Sequence, residues 1–155
     1  MPWLKLGEFV FPGVQREMEL RKWIEQLATP DGIAAYLKHL LESGDLALAI
    51  RLVRDNPAFI NNLLGLVADE NKDIRMQLGV SAIFEALEGS ALLRDIVDRL
   101  GELTVHHNPK IRADIAHFLS LSHHEKALAY LQMLAKDSDR EVRDIANDAL
   151  RNTAH

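Results

Sequence analysis

Seven histidines are the side chains best suited to chemistry in this chain, and four of them stand in pairs, His106-His107 and His123-His124. Imidazole binds zinc-like ions and can move protons near neutral pH. If residues 109–120 form a helix, the two pairs lie at its opposite ends, about 18 Å apart at the rise of an α-helix. One ion with ligand bonds near ~2 Å cannot draw on both pairs. His117 can approach His123 or His124 across a turn, which supplies two imidazoles at most. Solvated loop histidines are therefore the expectation, and no metal ligand is assigned. Nucleophilic chemistry has less support: there is no cysteine and no Gly-x-Ser-x-Gly elbow, and Ser120 and Ser122 are only loosely near His117, His123 and His124. The carboxylate pairs Glu17/Glu19 and Asp137/Asp139 read as solvated faces or caps, and no glycine-rich phosphate loop is present. The sequence thus predicts no catalytic residue, no cofactor and no enzymatic activity.

Charge narrows the partners. The chain carries a formal net charge of −5. Residues 56–105 hold four Lys or Arg against eight Asp or Glu, a net −4, while 1–55 and 106–155 come to −1 and 0. No third is basic, so the phosphate neutralisation on which nucleic-acid affinity rests has no obvious source. No apolar run approaches the ~18 residues of a membrane span. The N-terminus lacks the basic and apolar regions of a signal peptide. With no cysteine to oxidise, a reducing cytoplasm is the expected location.

The elements that must position these residues are helical. Apolar residues recur at i, i+3, i+4, i+7, as in Leu20/Trp23/Ile24/Leu27 and Leu93/Ile96/Val97/Leu100. The pattern predicts helices over 14–28, 31–42, 45–55, 57–69, 72–88, 90–104, 109–120, 123–136 and 139–152. Asn56-Pro57 and Asn108-Pro109 read as a capping Asn before proline at the first helical position. Ser122…Glu125 and Ser138…Glu141 read as capping boxes, and Gly44 and Gly89 as helix stops. Strand-like alternation occurs only in Glu8-Phe9-Val10-Phe11. Residues 1–13 make an apolar arm that either folds back over the first layer of a single helical domain, 14–155, or docks on a partner or on a second copy as a homodimer.

Three helix starts share a register: Asn71-Lys72-Asp73-Ile74-Arg75, Asn108-Pro109-Lys110-Ile111-Arg112 and Ser138-Asp139-Arg140-Glu141-Val142-Arg143. Each sets a β-branched residue before an arginine. Arg75, Arg112 and Arg143 are expected to bind an acidic or carbonyl group in a neighbouring turn, with Asp73 and Asp139 as candidate partners. These residues, and above all Asp137 to Leu150, resemble the HEAT-repeat family, in particular the short HEAT-like repeats of phycobilin lyase subunits, best over residues 71–152. The resemblance implies an all-α, right-handed superhelix of about four helix pairs with an N-terminal cap. HEAT-repeat hydroxylases hold two irons through several His-Glu dipeptides; this chain has one, His124-Glu125, so that site does not carry over.

The same resemblance implies a non-enzymatic scaffold that holds another protein on a concave face lined by the second helix of each pair. The candidate contact residues are Asn61, Asn62, Arg94, Asp98, Lys126 and Gln132. The acidity of 56–105 predicts a partner with a basic patch. The alternative is an accessory subunit of an enzyme or of a chromophore- or cofactor-attachment system.

Overall fold

The computed structural model describes residues 3–6, 9–12 and 30–153; the helix expected over 14–28 lies outside them. The chain divides into two compact units: Met1–Leu66 with Lys72–Ile83, and Val67–Asn71 with Phe84–His155.

The first unit opens with an antiparallel hairpin, β1 (Trp3–Leu6) and β2 (Phe9–Pro12), in the register Trp3↔Pro12 to Leu6↔Phe9. The arm is therefore two short strands, of which only the second showed alternation strong enough to read. β2 lies against α2 (Leu46–Asp55), which follows α1 (Pro30–Glu42). Most of α3 (Phe59–Ala68) and most of α4 (Ile74–Ala86) complete the unit. Its core is Tyr36, Leu37 and Leu40 of α1, Leu52 and Val53 of α2, Phe59 and Leu63 of α3, and Val80 and Ile83 of α4. Each such side chain contributes about 1.5–3 kcal/mol on leaving water. Gly44 stops α1 at φ 78°, and the amides of Gly44 and Asp45 close back on Leu41 and Leu40. That is the left-handed C-terminal cap glycine permits.

Asn56 stands at the C-terminal cap of one helix, three residues before the next begins. It ends α2: its backbone amide and its side-chain Nδ2 both donate to the Leu52 carbonyl, at 2.9 and 3.1 Å. α3 begins only at Phe59. Asn56 is buried, and those bonds satisfy it there.

In the second unit, α5 (Ala91–Asp95) and α6 (Val97–Glu102) stand where one helix over 90–104 was expected. The chain tightens at Ile96, whose amide bonds to Leu93 and Arg94, and a 3-10 turn follows at Leu103–Val105. Leu93, Ile96, Val97 and Leu100 stay buried across the break, so the apolar stripe survives it. α7 (Pro109–Leu121), α8 (Glu125–Leu134) and α9 (Arg140–Thr153) pack on one another, and α6 packs on α7 and α8. The rings of Phe84 and Phe118 stack with centroids 4.0 Å apart. Among the described residues no helix is long and apolar enough to cross a membrane.

Burial sets the repeat register, and it differs from the one expected. Met76, Val80 and Ile83 are buried on α4, as are Ile111, Ile115 and Phe118 on α7, and Val142, Ala146 and Ala149 on α9. These triplets recur 35 and 31 residues apart. The side chains of Asp73, Asn108 and Asp139 cap the three helices at the same spacing, each accepting an amide of the first turn. Arg75 therefore falls two positions out of phase with Arg112 and Arg143, and Gln77 holds their place. Ile74 and Leu78 are 73% and 64% exposed because they occupy surface positions, those of Arg140 and Asp144 on α9. There the sister helix carries an i,i+4 ion pair at 3.7 Å.

Candidate functional site

Of the six candidate contact residues, the structure brings two together. Lys126 Nζ on α8 donates to Asp98 Oδ2 on α6 at 3.1 Å, and Tyr130 Oη donates to the other carboxylate oxygen at 3.1 Å. The bond from Lys126, then that from Tyr130, holds the Asp98 carboxyl below the usual carboxylate range. Donation to that anion raises the Tyr130 phenol. The pair is well exposed, so it orients side chains more than it stabilises the fold. The approach of the two helices rests on Gly101, where an added Cβ would overlap the Tyr130 ring. Arg94 and Gln132 are exposed on the same unit, on α5 and α8. Asn61 is exposed and Asn62 half-exposed on α3.

The repeated arginines bind carbonyls, and the carboxylate that meets Arg112 is Asp137 rather than Asp73 or Asp139. Arg112 Nη1 donates to the carbonyls of His106 and His107 at 2.7 and 3.1 Å. Arg143 Nη1 does the same, six and five residues back, to Asp137 and Ser138 at 2.8 and 3.0 Å. Arg112 also forks onto the Asp137 carboxylate. Arg75, out of phase, donates to the Glu42 carbonyl at 2.9 Å instead. Asp73 and Asp139 are helix caps. Neither serine box forms: Asp139, not Ser138, caps α9, and His124 caps α8 through Nδ1. Ser122 Oγ turns back to donate to the Leu119 carbonyl at 2.7 Å.

Three histidines, His117 on α7 and the pair expected in the loop after it, border an open cleft of about 700 Å³ formed by α7, α8 and α9. Its apolar lining includes Leu119, Leu121, Leu128 and Leu131; His117, His123 and His124 stand at its polar edge. His123 ends α7 with φ 50°, a left-handed conformation uncommon outside glycine. Its Nε2 meets Glu88 at 2.8 Å, and His117 Nε2 lies 3.5 Å from Glu85. Neither carboxylate was marked by the sequence. Each is about 32 to 35 residues upstream of its histidine, a separation that only the stacking of repeats closes.

No curated protein and no solved structure matches the chain. The family model described as HEAT repeats matches residues 81–151, from within α4 through α9. The recurring buried triplets, capping acids or amides and carbonyl-clamping arginines fall in the segment matched or just before it. Residues 81–151 of this chain are similar to HEAT repeats.

Proposed function

We propose that this protein is a binding module whose second unit holds a partner protein along α8 and in the adjoining cleft. HEAT repeats generally serve as scaffolds for protein contacts, and curved repeat stacks act through extended surfaces. The observation that carries the reading is the cleft itself. Its volume of about 700 Å³ lies within the range of true ligand sites, and its apolar lining leaves Leu128 39% exposed at the edge. Met133, further along α8, is 47% exposed. Gln132 is exposed one turn beyond Leu128 on α8, and Arg94, Asp98 and Lys126 are exposed polar groups of the same unit. The acidic excess of residues 56–105, with Glu88 and Glu125 at the cleft, fits a partner carrying Lys or Arg.

A photo-crosslinking residue at Gln132 or Leu128 tests this in lysate of the native organism, with one at Arg140 as the control. One dominant adduct from the first two positions, absent from Arg140 and weakened by salt, is expected. Identical adduct patterns from all three positions would remove the basis for the reading.

A further inference from the structure

We propose that Glu70, His106 and His107 form a surface site for a divalent transition-metal ion of the zinc class. One ligand atom from each of the three lies within 4.8 Å of the others. His107 Nε2 is already 2.9 Å from Glu70 Oε1. Ligands about 2 Å from a tetrahedral ion stand roughly 3.3 Å from one another, so an ion would open the His107–Glu70 hydrogen bond and draw the widest pair in by up to about 1.5 Å. The two imidazole rings are stacked with centroids 4.5 Å apart, so one ring turns to bring its in-plane lone pair onto the ion.

The site is built on a fixed backbone. Arg112, itself held by Asp137, grips the carbonyls of both histidines from below. Arg143 grips the sister turn in the same way, and there the two residues are Asp137 and Ser138. The clamp therefore uses carbonyls and does not require imidazoles at 106 and 107. Asn108 Nδ2 donates to Glu70 Oε1 at 3.1 Å and steers the carboxylate toward the pair. Such outer contacts orient metal ligands. That bond, foremost, holds the Glu70 carboxyl below its ordinary range.

Two imidazoles and one carboxylate favour zinc, nickel, copper or cobalt over magnesium or calcium, which prefer all-oxygen shells. Three protein ligands leave a fourth position for water. The three are not equal. His106 Nδ1 accepts the Asn108 amide at 3.1 Å, just as Asp137 accepts that of Asp139 at 2.9 Å. Binding through His106 must give up that bond or its proton arrangement, so His106 contributes least. No ion can join one histidine pair to the other, and a single pair supplies only two ligands. Glu70, from a different turn, supplies what a single pair lacked.

The test uses the full chain, stripped with chelator and titrated with Zn²⁺ against a chromophoric chelator, then with Co²⁺ by absorption. One equivalent of Zn²⁺ is expected, with no competition from Mg²⁺ or Ca²⁺. His107 is 76% exposed and Glu70 40% exposed, so their variants keep the fold. His107→Ala and Glu70→Gln should each weaken binding at least ~10-fold, and His106→Ala by less. His117→Ala and His123→Ala should leave it unchanged. Failure to bind one equivalent, or affinity indifferent to His107→Ala and Glu70→Gln, overturns the site. Loss of binding in His123→Ala moves the ion to the cleft and overturns it equally.

Discussion

Arg112 meets Asp137 through two parallel bonds, Nε and Nη2 each 2.9 Å from one carboxylate oxygen, with the side chains only 13% and 11% exposed. Asp137 belongs to the turn before α9, so this fork joins one repeat to the next. Mutual bonding raises the guanidinium pKa and lowers that of the carboxyl.

Removing one side of that fork strands the other where water reaches it poorly. Arg112→Met should lower stability by about 3 kcal/mol, near the cost of breaking a buried pair. Arg112→Lys keeps the charge and loses the fork, so it should fall between. Thermal unfolding followed by circular dichroism ranks the three proteins, and equal midpoints for Met and wild type would refute the linkage.

Acid should act through the same contact. The Arg112 bonds depress the folded pKa of Asp137 below its unfolded value, which is about 3.9. The stability this contributes is fully present above the unfolded pKa and drains away as pH falls through the folded one. Unfolding midpoints measured from pH 6 downward should drop below about pH 4, and Asp137→Asn should flatten that drop.

The cap of α9 separates the two readings of its first turn. Asp139→Ala should cost about 1 kcal/mol, the usual value of a lost N-cap, because Asp139 Oδ1 accepts the Val142 amide. Ser138→Ala should cost close to nothing. Denaturant midpoints of the two variants give the order, and the reverse order would restore the serine box.

Gly101 sets the spacing of α6 and α8. A methyl there would meet the ring of Tyr130, and Gly101→Ala should destabilise by roughly 1–3 kcal/mol as overpacking does. Adding Tyr130→Ala should relieve part of that cost, a coupling a double-mutant cycle measures directly. Additive effects would mean the ring moves aside freely.

The sequence by itself determined most of the described helices, because a 3.6-residue apolar period is a local property and needs no knowledge of what it packs against; the break at Ile96 it did not show. It also marked Asn108 as a cap and Gly44 as a stop, since both act on their own turns. It carried the HEAT-like repeat, with Arg112 and Arg143 in place. Tertiary structure decided the rest. The phase of α4 rests on which side of the helix is buried, and the run Asp73-Ile74-Arg75 imitated the motif two residues too early. The acid that meets Arg112 sits 25 residues further on, and Glu70, which meets His107, sits 37 residues before it. Such pairings arise only when one repeat stacks on the next, so no local pattern of residues records them.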